Sequence, residues 1–538
     1  MNKFLSFLVL LGLWVSTCFG AVTQVKPEYK NQLEYQNVLW NAPLGSSAVA
    51  PLGTNAMIVI WETATNNTPV TLPYRAGQTY NCTVDWGDGS AYSTVNSNSD
   101  PDATHTYALA GTYLCTIEGQ VGAWYFNNGG SKARFKGVNR WGDVTNSTVG
   151  LEWAFYGSSA TNFATPVDAR WVAATNLIGT WLGCTAARYF PDVSALTNVI
   201  NLGSTWNNCT GATNFPDVSA LTNVINLGGT WYNCTATKYF PDVSALTNVT
   251  SLGGTWYNCT AATNFPDVSA LTKVTSLYET WCFCRPKTLP SVNTLTNVTT
   301  LFQTWRSSFG SAVTNFPDVS ALTKATNLFG TWNYCAAAKY FPDVSALTNV
   351  TNLGSTWRDC TAATNFPDVS TLTKATSLHL TWYKCAAATN FPAVNTLTNV
   401  TTLENTWNGC AAATNFPDVS TLTKVKSLYG TWYNCTATKY FPAVNTLTNV
   451  TTLFATWTSC TGMQNTVASL LGDCSWITGQ VKNVDRTFEN CYDLKGEGMP
   501  LVTAITNSPG YPTGYTITTC FQNCTNLTDW ATIPAGWK

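Results

Sequence analysis

Charge is scarce in this chain: Asp, Glu, Lys and Arg make up 10% of 538 residues, and 27 basic against 28 acidic residues leave a net charge of −1. A protein that neutralises phosphates clusters Lys and Arg, whereas here they are spread thinly and balanced, which argues against nucleic acid as a partner. Histidine is scarcer still, with only His105 and His379. No Ser-His-Asp, Cys-His, phosphate-loop or metalloprotease spacing occurs, so the sequence points to no enzyme, no cofactor and no metal. Carboxylates paired from distant loops are the one catalytic arrangement that spacing cannot reveal. Long apolar runs are missing after the N-terminus, so no transmembrane segment is expected.

What is present begins with Met1, Asn2 and Lys3, an apolar run from Phe4 to Val15, and then Ser-Thr-Cys18-Phe-Gly20. A basic start, an apolar core too short to span a bilayer and small residues near Gly20 are the pattern of an export signal, residues 1–20, which places the chain outside the cell or on its surface. Acylation of Cys18 as a lipoprotein is the competing reading.

From Trp181 onward one block recurs, with its Trp at 181, 206, 231, 256, 281, 305, 332, 357, 382, 407, 432 and 457, a period of 25 residues except for 24 and 27 around Trp305. Such a period signals stacked identical units, none of which buries its apolar residues alone. Val224, Leu227, Trp231 and Cys234 share one face of a helical turn or short helix, which Gly228 and Gly229 weaken. The segments ending in Phe215 and Phe240, each stopped by Pro, suit a brief strand. The expected fold is therefore an α/β solenoid with a short strand plus helix in each unit of about 25 residues.

The run Leu-Thr-Asn-Val-Thr-Ser-Leu-Gly-Gly-Thr-Trp-Tyr-Asn-Cys resembles the BspA-like leucine-rich repeat, with Trp in place of the usual Met-Phe pair. Arg486-Thr-Phe488-Glu-Asn-Cys491, Thr519-Cys520-Phe521-Gln-Asn-Cys524 and Ile533-Pro-Ala-Gly-Trp537 look like ordinary members of that family. The resemblance covers roughly residues 145 to 538 and implies a leucine-rich-repeat-type solenoid on a surface protein concerned with adhesion and host or matrix contact. The solenoid is expected over residues 146–460, with divergent repeats and a cap at 461–538.

Residues 21–145 lack the repeat and alternate apolar with polar residues around Ala56–Trp61, Tyr80–Trp86 and Thr112–Ile117, as strands of a small all-β sandwich do. Val84-Asp-Trp86-Gly87-Asp88-Gly89 followed by His105-Thr106-Tyr107 resembles a polycystic-kidney-disease-type (PKD) domain. In such modules the Asp-Gly pair shapes a turn and the Trp packs the core, which is preferred to ligand roles for Asp88 or His105.

The 19 cysteines invite a disulfide framework in an exported chain, yet eleven of them, from Cys184 to Cys460, recur three residues after the Trp and so form a column. Side chains in register point the same way, which favours buried thiols packing beside the indoles; a straight ladder also offers zinc no tetrahedron. Cys82 and Cys115, in separate strands, are the disulfide candidate, with Cys520 and Cys524 a further possibility. The Asp of Phe-Pro-Asp recurs at 192, 217, 242, 267, 318, 343, 368 and 418. Backbone N–H groups of the following turn are its expected partners, in preference to calcium, because Ser291, Ala393 and Ala443 replace it.

One pair of positions varies together: Arg188-Tyr189, Lys238-Tyr239, Lys339-Tyr340 and Lys439-Tyr440 alternate with Thr-Asn pairs. On an exposed sheet face, Tyr189, Lys238, Tyr239, Lys339, Tyr340, Lys439 and Tyr440 would bind ligand, although they serve equally well as solvated ladder residues. Sequons such as those at Asn233 and Asn248 follow from repeat composition and matter where the host glycosylates. The expected function is adhesion or protein–protein interaction with a host or matrix protein; the alternative is binding a surface glycan, or a structural role in an extracellular matrix or surface layer.

Overall fold

The computed structural model describes residues 53, 55–142, 151–164, 171, 173–308 and 316–538. The expected export signal and Cys18 lie outside these residues. Leu52–Trp86 and Tyr92–Lys538 form one compact unit. Gly87–Ala91 fall outside it, and within them the Ser90 N–H donates to Asp88 Oδ1 at 3.1 Å, closing a turn.

The N-terminal region is a sandwich. Strands β1 (Met57–Thr63), β3 (Tyr80–Asp85), β4 (Ser93–Val95), β6 (Gly111–Val121), β7 (Phe135–Arg140) and β8 (Asn162–Phe163) make a six-stranded sheet in the order β4-β3-β6-β1-β7-β8. β2 (Thr68–Thr71) and β5 (Thr104–Tyr107) pair separately. Alternation drives one face inward, as in Tyr80, Cys82 and Val84, all buried. Trp86 is buried against the His105 ring at 5.0 Å, with its Nε1–H donated to Ser93 Oγ at 3.0 Å.

The disulfide expected between Cys82 and Cys115 does not form. The β3–β6 register sets Cys82 opposite Gly119, four residues along the strand from Cys115. That offset is about 13 Å, beyond the span a disulfide can bridge. Cys82 Sγ instead lies 3.1 Å from the Tyr74 hydroxyl.

The sheet hands over to the repeats through β7, which pairs in parallel with β8, Gly137 opposite Asn162 and Val138 opposite Phe163. A Cβ at Gly137 would fall 2.0 Å from the Asn162 carbonyl oxygen, so glycine permits this close approach. Parallel bridges then recur along the repeats, Asn201 to Asn226 to Ser251 to Ser276 to Thr300 and onward to Ser377, and again from Thr402 to Thr516.

Within a unit the backbone is a chain of β-turns rather than a strand and a helix. Val218, Leu221, Val224, Leu227 and Trp231 are wholly buried, and the carbonyls of Val218, Leu221, Leu227 and Trp231 each accept from the N–H three residues on. Successive turns advance the core side chain by three, which imitated a helical face in the sequence. Continuous i→i−4 bonds are not available, because alternate N–H groups are taken by the next repeat: those of Leu252, Gly254, Trp256 and Asn258 donate to Ser276, Tyr278, Thr280 and Cys282 at 2.7–3.2 Å. Among the described residues the α-helices are α1 (Val467–Leu471) and α2 (Met499–Thr506), both in the divergent C-terminal part. The Thr-Asn-Phe215 and Lys-Tyr-Phe240 segments, expected as strands, are irregular, and the parallel ladder lies elsewhere in the unit.

The core is a set of columns. The twelve indoles stack at 5.6–6.0 Å with planes within 12° of parallel. Phe155 and Phe135 extend the row into the sandwich, and Phe488, Phe521 and Trp537 extend it to the C-terminal cap. None of the twelve indole N–H groups has a hydrogen-bond partner, and phenylalanine fills the same row where the repeat diverges. The column is therefore held by apolar burial, worth about 1.5–3 kcal/mol per large side chain, and by ring stacking.

The threonine and cysteine side chains of the core, unlike the indoles, bond between repeats. Thr230 Oγ1 lies 2.7 Å from Leu227 O and 2.9 Å from Leu202 O, and the threonines that precede the other Trp residues likewise reach a leucine carbonyl of the previous repeat. The column cysteines are thiols: Cys234 Sγ donates to Trp206 O at 3.1 Å, and Cys209 and Cys259 likewise reach the preceding Trp carbonyl. Where the repeat is irregular, Ser308 stands in the cysteine position and bonds Trp281 O. Cys524 donates to Phe488 O at 2.9 Å and is not bridged to Cys520. Burial pushes these thiols up, Cys184 to about 12, so they are not nucleophiles near neutral pH.

The recurring Asp closes the turn after Phe-Pro. Asp217 accepts from the Ser219 N–H and the Ser219 hydroxyl, each at 2.9 Å, and Asp242, Asp267, Asp318, Asp343, Asp368 and Asp418 do the same. Those two bonds hold the Asp318 carboxyl below the usual range. No group of three His, Cys, Asp or Glu side chains converges as a metal site among the described residues.

Candidate functional site

The Lys-Tyr pairs expected to bind ligand stand on the irregular segment before Phe-Pro. Tyr239, Tyr340 and Tyr440 are 63%, 58% and 65% exposed, whereas Tyr189 is half-buried. They are two or four repeats apart in the stack, roughly 10 and 20 Å at one strand spacing per repeat. None of the four rings contacts another aromatic ring among the described residues; Tyr440 Oη lies 3.3 Å from Gln464 Oε1. The structure leaves these side chains separate.

A different face brings side chains together. From three residues before each Trp to two after it, the overlapping turns form a ribbon. Its left-handed residues sit two before and two after the Trp: Gly229 (φ 64°) and Asn233 (φ 59°), Gly254 (φ 63°) and Asn258 (φ 55°). Glycine and asparagine tolerate that conformation; larger residues in it are strained by roughly 1–2 kcal/mol each. Yet the central repeats place Glu279, Phe283, Gln303, Tyr334, Leu380 and Lys384 there, all with φ between 50° and 59°. Bulk at positions where small residues serve the fold is strain of the kind that gathers at functional sites.

The same ribbon carries the variation of the repeat. Three before the Trp stand Gly203, Gly228 and Gly253, then Tyr278, Phe302 and Phe329; one after it stand Tyr232, Tyr257, Cys282, Arg306, Asn333, Arg358 and Tyr383. Tyr278, Phe302 and Phe329 stack at 4.9 and 5.3 Å, and Tyr232 stacks on Tyr257 at 4.2 Å. Alongside runs a mixed column of cations and rings. The Arg306 guanidinium lies over Phe283 at 5.1 Å and Tyr334 at 5.6 Å, and that of Arg358 over Tyr334 at 5.3 Å and Tyr383 at 5.2 Å. Lys384 Nζ lies 5.2 Å from the Tyr383 ring.

Several polar groups on this face are paired locally. Arg358 pairs with Asp359 at 3.1 Å, Arg306 Nη1 donates to Gln303 Oε1 at 3.1 Å, and His379 faces Glu404 at 3.6 Å. Burial pushes the Glu279 carboxyl up, and nearby Arg306 pulls it back. The result is a fixed, half-exposed strip of tyrosine, phenylalanine and guanidinium, able to bind by burial and cation–π contact. Aligning the repeats on their Trp would have exposed the strip in the sequence, because variation concentrates on it while the columns beneath stay constant.

No family model matches the chain, and no curated protein matches it. Among solved structures, the crystal structure of a TLR13–ssRNA13 complex is similar over 71% of this chain and 77% of that one, at 11% identity and a TM-score of 0.10. A score that low carries neither fold nor function across. No helix among the described residues is long and apolar enough to cross a membrane.

Proposed function

We propose that this is an exported, surface-displayed binding protein, of leucine-rich-repeat type behind a PKD-like sandwich, which engages a host or matrix protein through its turn ribbon and so serves adhesion or protein–protein interaction. The observation that carries this reading is the bulk placed at left-handed positions from Glu279 to Lys384, where the ribbon's rings and guanidinium groups also assemble. Tyr and Arg dominate binding energy in protein interfaces, and a background of Gly, Ser and Asn is the composition of protein-recognising loops. The resemblance to BspA-like surface proteins points the same way. A glycan ligand is the second reading, favoured by the uncharged stretch in which Tyr232 and Tyr257 lie beside an amide ladder of Asn208, Asn233 and Asn258 at 2.6 Å per step.

The test is binding of residues 21–538 to host matrix proteins and to a glycan array, comparing Arg306→Ala/Tyr334→Ala/Arg358→Ala with Tyr239→Asn/Tyr340→Asn/Tyr440→Asn. The ribbon variant is expected to lose at least tenfold in affinity, since each truncated interface anchor costs about 2 kcal/mol. The Lys-Tyr variant is expected to bind like the parent. The reverse order would move the site to the Phe-Pro edge, and glycan binding lost only with Tyr232→Ala would favour the second reading.

A further inference from the structure

Eight residues before each Trp from Trp206 onward runs a column of Asn and Lys that the ribbon does not use. Asn248, Asn297, Asn349, Asn399 and Asn449 each begin Asn-Val-Thr, and in the repeats between them Lys273, Lys324, Lys374 and Lys424 hold the position. The two earlier repeats have Asn198 and Asn223, but Ile follows two residues on, so neither is an acceptor sequence. Acceptors therefore never fall in adjacent repeats of this column. Their spacing is about 10 Å, where adjacent repeats would give about 5 Å.

The side-chain geometry suits a substituent. Nδ2 of Asn248 donates one bond to Thr222 O at 3.0 Å, and Oδ1 accepts from Lys273 Nζ at 2.7 Å. Asn297, Asn349 and Asn399 repeat both contacts, with Lys324, Lys374 and Lys424 as donors. Substitution at Nδ2 removes one of its two hydrogens and leaves the other for the carbonyl, so both contacts survive. Each following Val is buried and each Thr exposed.

We propose that these five asparagines carry N-linked glycans, forming a row along one edge of the stack at every second repeat. In the transfer, Nδ2 forms a bond to the anomeric carbon of a polyprenyl-diphosphate-linked oligosaccharide. The bond from that carbon to the diphosphate breaks with its electrons going to the diphosphate, and the displaced amide proton passes to a base of the transferase. The assignment does not depend on what the ribbon binds.

Glycopeptide mass spectrometry on the full-length chain purified from the cells that make it decides the matter. Glycan on the five sites is the expected result, and five bare asparagines would overturn the proposal. In a secretory cell line that glycosylates, Thr250→Val keeps both Asn248 contacts and is expected to abolish modification there alone. Lys273→Asn creates an acceptor one repeat from Asn248 and from Asn297, and secreted yield is expected to fall severalfold or the new site to stay empty. Secretion at parent yield with all three sites occupied would refute the spacing argument.

Discussion

The sandwich and the repeat stack meet in one sheet yet solve the burial of polar groups differently. In the sandwich buried polar groups find partners one at a time, as Trp86 has Ser93 and Tyr107 has the Trp86 carbonyl at 2.9 Å, while the Trp61 and Trp124 indoles have none. In the stack one arrangement of Trp, Thr and Cys is copied at each step, with bonds that always reach the neighbouring repeat. Copied solutions tolerate local exchange, which is why Ser308 replaces a cysteine and Phe488 a tryptophan without interrupting the columns. They also multiply any shared weakness.

Alkali is the sharpest probe of that weakness. Unfolded thiols ionise from about pH 8.5 upward, whereas burial holds Cys184 protonated to about pH 12 and raises its column partners. Between those values the folded state keeps protons the unfolded state has released, so stability falls as pH rises, by about 1.4 kcal/mol per pH unit for each thiol. Urea unfolding followed from pH 7 to 11 should show the stack losing stability steeply while the sandwich, where burial raises Cys82, Tyr74 and Tyr80, loses less. Equal losses would remove the distinction.

Next in size is Trp332→Ala, expected to cost about 3–5 kcal/mol and, because repeats touch only their neighbours, to split the calorimetric transition of the stack. Trp86→Ala should cost as much but melt the sandwich alone. Thr331→Val removes the hydroxyl shared between the Leu301 and Leu328 carbonyls, each of which keeps a backbone N–H partner, an effect of about 0.5–1.5 kcal/mol in denaturant midpoints. Smallest should be Cys335→Ser, within about 1 kcal/mol, since a hydroxyl already makes the equivalent bond at Ser308.

The strands at Met57–Thr63, Tyr80–Asp85 and Gly111–Val121 were legible because short runs rich in β-branched and aromatic residues, with polar residues alternating in places, read as strands. So was the stacking, from the Trp period. The helix of the repeat was not: a three-residue advance fits a helical stripe and a run of β-turns alike, and only the inter-repeat demand on alternate N–H groups separates them. The Cys82–Cys115 expectation failed because two strands can be neighbours while their cysteines are four residues out of register. The Lys-Tyr pairs drew the eye as a two-state alternation, whereas the ribbon, at Tyr278, Arg306 or His379, shows itself only as variation at fixed offsets from the Trp once the repeats are aligned, and the backbone then shows that these positions share a face.

Twelve near-parallel indoles at 5.6–6.0 Å are also an optical object. Excitation absorbed by one ring is shared with those above and below it, so near-ultraviolet circular dichroism should show coupled bands, and fluorescence should emerge depolarised by transfer along the row. Light of a single wavelength thereby reads the continuity of the whole column, and a break at any one step divides the emitter in two.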